Sequence, residues 1–393
     1  MKITGNLSSL VLACALGAAI DLQAATYTWS GGSGGGGDAW RNANNWSPIS
    51  GQAGPGTGDI AIFSSQGSAT NIGINFNDGR GLVAPIGSIV LSASGNRTIF
   101  NSSANAAGTL RIESLNGQLL QNLATNATLS LSNGSSQPMA VQFAAAGTIH
   151  VAAGSSAIVI GSSISGSNGF TKTGAGLLRL DGSNSLGGSV TVAGGELALA
   201  ANAGASLGSV GSVRVQNGAA LRLVTAEQLG TATQLDLAGG TLLGASGSSA
   251  VAETAGRLTL SANSTINVGA SAITFADSSS AIWGNGATLT ITNWRSIGDA
   301  RGGRIYFGIG GLTSAQLAQV YFADIGVQGA QLVGPEGELS PIPEAPVAAA
   351  AAVLAGFILW RERRRLMRGV RRRLAPRSAA SAPRADSCHS GDG

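Results

Sequence analysis

The sequence predicts an all-β chain wound as a right-handed parallel β-helix with capped ends, followed by one short hydrophobic C-terminal helix. Three observations carry that reading. Four segments share one design: Val190-Thr-Val192-Ala-Gly-Gly-Glu-Leu197, Val213-Arg-Val215-Gln-Asn-Gly-Ala-Ala-Leu221, Leu235-Asp-Leu237-Ala-Gly-Gly-Thr-Leu242 and Leu258-Thr-Leu260-Ser-Ala-Asn-Ser-Thr-Ile266. Their starts lie 23, 22 and 23 residues apart, and a fixed period of this size marks a solenoid, whereas hairpins or a sandwich have no reason to keep one spacing. Each segment reads as a short alternating strand, a Gly/Asn turn that tolerates positive φ, and a second alternating strand. The 60 glycines and 5% aromatics suit corners too tight for bulky side chains.

Taken in order, residues 1–24 read as a secretory signal. Lys2 precedes an apolar run from Leu10 to Ile20, and Gln23 with Ala24-Ala25 supplies the small-residue exit. Cleavage is expected after Ala24 or Ala25. Val11-Leu12-Ala13-Cys14 offers the rival of a lipid on Cys14. Residues 25–100 are expected to form an N-terminal cap and the first rungs. There Trp29, Trp40 and Trp46 read either as an apolar plug or as a sugar-stacking platform. The plug is preferred because an open solenoid end must be covered.

Residues 101–300 hold the solenoid repeats. Alternation places Val190, Val213, Leu235 and Leu258 in one internal stack, and Thr191, Arg214, Asp236 and Thr259 in register outside. Arg214 then sits above Asp236, a surface pair worth ~0–1 kcal/mol. Fainter copies are read at Leu110, Leu129 and Ile149, spaced 19 and 20 residues. About a dozen rungs at ~4.8 Å would span roughly 60 Å. Residues 301–340 are expected to cap the far end. Thr313 to Phe322 reads as a short helix, with Leu312, Leu317, Val320 and Tyr321 as its cover.

Residues 341–365 form an anchor or sorting segment. Pro341-Ile342-Pro343-Glu344-Ala345 leads into apolar residues and then Arg361, Arg363, Arg364 and Arg365. The sixteen residues from Ala345 to Trp360 fall short of the ~20 that a stable helical span needs. The arginines match the positive-inside bias. This arrangement resembles the PEP-CTERM sorting signal of Gram-negative-type bacteria. The resemblance implies that a membrane-embedded exosortase-like protease cuts near Pro343, Glu344 and Ala345 and releases or transfers the ectodomain. Ala345 stands where that pattern normally has proline, and about thirty residues follow the arginines. The alternative is a permanent membrane anchor. Residues 366–393 read as a disordered Arg-rich tail drawn to anionic lipid.

A second resemblance lies in Gly169-Phe170-Thr171-Lys172-Thr173-Gly174-Ala175-Gly176-Leu177-Leu178-Arg179-Leu180. It continues through Asn184, Gly187-Gly188 and Val190-Thr-Val192 to Gly194-Gly195-Glu196-Leu197. This is similar to the autotransporter-associated β-strand repeat. The flanks also look like proteins carrying that repeat: Trp29, Trp40, Asn45-Trp46 and Asp59 to Phe63 on one side, Leu289 to Trp294, Tyr306-Phe307-Gly308 and Leu312 to Val320 on the other. The resemblance implies a secreted, surface-associated protein. It does not imply an autotransporter, because no terminal block of amphipathic barrel strands follows.

Ten of the 21 arginines lie after Trp360; between Thr26 and Glu344 there are 12 Lys and Arg against 15 Asp and Glu, a net of −3. A nucleic-acid partner, which needs a basic patch on the folded part, is therefore not expected. Cys14 and Cys388 leave the ectodomain without a disulfide or thiolate site. His150 and His389 are the two histidines, too few for a zinc site, and His150 is expected to point outward. Asp181, Glu196, Glu227, Asp236 and Glu253 appear singly, with Glu196 and Asp236 on different faces. Lys172-Thr173-Gly174 is not a phosphate loop. No catalytic residue, metal or cofactor is expected. The reading is a non-enzymatic, exported structural protein of the cell surface or extracellular matrix, with adhesion to polysaccharide or neighbouring cells as its possible task. The enzyme alternative is a polysaccharide-degrading β-helix.

Overall fold

Strands of four or five residues with every second side chain apolar have one face to hide, and here they hide it by winding around a common interior. The computed structural model describes residues 24–31, 39–48, 54–67, 69–134, 136–202, 206–245, 251–294, 303–343, 357–361 and 363–364. The signal segment up to residue 23, Cys14, Glu344, Ala345, Arg365 and the tail 366–393 lie outside the described residues. The chain divides into two units, 1–342 and 343–393.

The first unit is a parallel β-helix. Its first face is an 11-stranded sheet running from Thr26–Trp29 to Leu258–Ala262, parallel throughout except for Trp46–Ser47 at its start. The second face has 12 strands from Asn71–Ile74 to Val320–Phe322, closed by the antiparallel strand Val327–Gln328. The third face is split into two five-stranded sheets. Eleven parallel strands on the second face leave ten spacings, so that face extends about 48 Å, somewhat shorter than the sequence suggested.

The periodic segments take the places their spacing assigns. Val190, Val213, Leu235 and Leu258 are successive partners on the first face, all fully buried. Leu197, Leu221, Leu242 and Ile266 continue the interior on the second face. Outside, Thr191, Arg214, Asp236 and Thr259 stand in register, and Arg214 donates to Asp236. The turn between the two strands demands glycine where rungs touch. At Gly195 φ is 63°, and a Cβ there would lie 2.4 Å from the Gly176 carbonyl oxygen.

The upstream copies need correction. Leu110, Leu129 and Ile149 occupy three different faces. Early rungs are longer: Leu129 pairs with Ile158, 29 residues on, whereas Ile158 pairs with Leu178 after 20. The faint spacing of 19 and 20 is thus about two-thirds of a long turn, because all three faces share the same alternation.

At each end antiparallel pairing covers part of the edge, Trp46–Ser47 on the first face at the start and Val327–Gln328 on the second face at the finish. At the start, Trp29, Trp40, Trp46 and Phe63 pack with ring centroids 5.1 to 6.3 Å apart, each at most 1% exposed. Trp46 Nε1 donates to the Trp40 carbonyl at 2.7 Å. Rings buried this way form a plug and present no stacking platform. At the other end, the hairpin Ala330–Val333/Glu338–Pro341 pairs onto Arg304–Tyr306. The helix read over Thr313 to Phe322 is shorter: it covers Ser314–Ala318, capped reciprocally by Thr313 and Gln316. Val320 and Tyr321 belong instead to a strand that extends the second face beside Leu289–Thr292, since Val-Tyr-Phe alternation fits one more rung better than another helical turn.

Candidate functional site

The residues marked by the sequence fall at the junction of the two units and beyond it. Pro343 is exposed; Arg361, Arg363 and Arg364 lie exposed on the short helical segment that contains Phe357 to Arg361. In this second unit Phe357, Ile358, Leu359 and Trp360 are all at least half exposed. The Arg364 guanidinium lies over the Trp360 ring at 4.2 Å, a cation–π contact that keeps charge beside apolar surface. Among the described residues no helix is long and apolar enough to cross a membrane.

The acids that looked solitary are mostly partnered. Arg179 pairs with Asp181 at 2.6 Å, and Arg222 grips Glu196 through two bonds of 2.6 and 3.0 Å. Asp236 accepts from both Arg214 and, at 2.6 Å, Ser261 Oγ. Glu196 lies on the second face and Asp236 on the first, as expected. His150 faces outward, half-buried, with Nδ1 2.9 Å from Thr173 Oγ1. Among the described residues no three His, Cys, Asp or Glu side chains come together as metal ligands.

Two polar devices escaped the sequence reading. Lys172 closes the strand Phe170–Thr173 and points inward, between Ile149 and Val192 in the aliphatic stack. Its Nζ donates to the carbonyls of Thr173, Gly174 and Gly194, each at 3.0 Å. All three ammonium protons therefore have acceptors, while burial pushes the group down to about 8. The strand's own alternation, Phe170 in and Thr171 out, already placed it inside.

The second device bridges the gap in the third face. Among the described residues no strand lies there between Ser185–Leu186 and Val251–Ala255, where the backbone makes the isolated parallel bridge Leu207–Leu229. Buried side chains supplement that sparse backbone pairing. Asn184 accepts from the Ile164 amide and donates to the Ser206 carbonyl; Ser206 Oγ donates to Gln228 Oε1 at 2.6 Å. The amides of Gln228 and Leu229 then donate to the two Glu253 carboxylate oxygens at 2.8 and 2.7 Å. Burial raises the Glu253 carboxyl to about 7 against the pull of those two amides, with Glu227 nearby adding to the rise. The signal was present as Asn184, Ser206 and Gln228, spaced 22 apart, but such residues are common in any loop.

One surface recess remains. At the corner between the first and second faces an open groove of 460 Å³ crosses four rungs. Its lining joins the small turn residues Ala238-Gly239 to Asn217, Asn263 and Asn285, with Ser261 beside them. Gly239 adopts φ 94° and a Cβ there would press on Asn217 at 3.0 Å, so the notch is built into the corner. Asn263 Oδ1 accepts from the Thr288 amide at 2.9 Å. The exposed Asn217 and Asn285 side chains make no hydrogen bond among the described residues. Beyond the turn, Thr241, Thr265 and Thr290 stand in register on the outer surface of the second face.

Compared with family models, curated proteins and solved structures, the chain matches none.

Proposed function

We propose that the protein is an exported, non-enzymatic structural element of the cell surface or extracellular matrix, a stiff body whose stacked faces contact extracellular polymer or neighbouring cells. The carrying observation is the parallel ladder itself. Eleven strands stack on one face, and antiparallel strands cover part of each end. Such a body holds outward columns in fixed register. Export rests on the signal-like start, and release on cutting by an exosortase-like protease near Pro343, Glu344 and Ala345, with Arg361, Arg363, Arg364 and Arg365 holding the membrane side beforehand.

Protease shaving of intact native-host cells tests this proposal. The ectodomain should be digested while a cytoplasmic marker stays whole. Digestion only after lysis would contradict surface display.

A further inference from the structure

We infer that the corner groove over Ala238-Gly239 is a binding site for a linear, neutral polysaccharide running along the solenoid axis. The inference rests on the reading that this face meets extracellular polymer, and it names the ligand and the place. Three features point the same way. The groove is open to solvent and its lining crosses four rungs, about 14 Å at the usual strand spacing, long enough for a short stretch of a chain laid along the axis. Its lining contains no ionisable side chain, and Asp236, two residues before Ala238 on the same strand, is already engaged by Arg214 and Ser261. Neither a polyanion nor a basic peptide gains an unpaired counter-charge there.

The third feature is donor and acceptor balance. Asn217 and Asn285 each offer an amide that donates and accepts and is not spent on any of the described residues. The Thr241, Thr265 and Thr290 hydroxyls extend this surface around the corner at one-rung intervals. Sugar hydroxyls likewise donate and accept, so repeated amide and hydroxyl groups match them unit by unit. Each contact is weak, and affinity grows with the number of units engaged along one chain.

Affinity electrophoresis of the purified full chain in gels containing a soluble neutral β-glucan, a galactomannan or alginate tests this. Retardation by a neutral polymer is expected, and the double substitution Asn217→Ala/Asn285→Ala should weaken it roughly tenfold, the loss of one to two net hydrogen bonds. Ala238→Arg, which fills the notch from an outward position, should abolish it. Both variants should keep the wild-type circular dichroism and melting temperature, which separates loss of the groove from loss of fold. Retardation only by alginate, no retardation, or retention unchanged by Ala238→Arg would each overturn the assignment. The purified protein is used, so a failure here is distinct from a failure of surface display in cells.

Discussion

At the residue scale, the molecule is most sensitive where a polar group lies in the interior. Lys172 satisfies three corner carbonyls at once. Lys172→Met keeps the apolar stem but strands those acceptors, and should cost about 2–3 kcal/mol in denaturant unfolding. Glu253 gives a pH signature. Its carboxyl titrates near 7 when folded against a reference of 4.5, so between those values the folded state holds a proton that the unfolded state has released. Its contribution is full below about pH 4.5 and is lost as pH rises through about 7, a change on the order of 3 kcal/mol at most. Melting temperature compared between wild type and Glu253→Gln should show a flatter decline across this window in the variant; parallel curves would contradict the assignment. The Arg214–Asp236 pair, half-exposed on the arginine side, is a weaker case. A double-mutant cycle should return no more than about 1 kcal/mol.

At the element scale, stability is set by how each end is shut. Trp46 fills the N-terminal plug and bonds to the Trp40 carbonyl. Trp46→Ala should lower unfolding free energy by about 3–5 kcal/mol, with amide exchange rising first in Thr26–Trp29 and Ile60–Phe63. The same scale shows what was legible in the sequence. Where rungs are short and of nearly constant length, from Val190 to Ile266, faces, register and the Arg214–Asp236 contact could be read directly, because each aliphatic residue recurs after one turn. Upstream, turns of about 30 residues carry three similar strands, and the alternation cannot tell one face from the next. The third face was illegible for a different reason. Asn184, Ser206, Gln228 and Glu253 act there through side-chain bonds, and nothing local separates a buried polar residue from a loop residue. The corner groove was equally hidden, since it arises from Ala238-Gly239 lying between rungs whose corners carry asparagine.

At the scale of the whole molecule, a β-helix is followed in sequence by a C-terminal segment that is apolar, short and succeeded by arginines. The division after Ile342 leaves Pro343 exposed beside the boundary, where a cut would free the folded unit without breaking a strand, since the last strand of that unit ends at Pro341. Under the proposed cleavage, residues beyond it would serve delivery and the solenoid would be the working protein. Mass spectrometry of the mature C-terminus, from native-host surface and membrane fractions, tests this most directly. A surface species ending between Pro343 and Ala345 is predicted. An uncut membrane species that retains the Arg-rich tail would contradict sorting and make that tail part of the function.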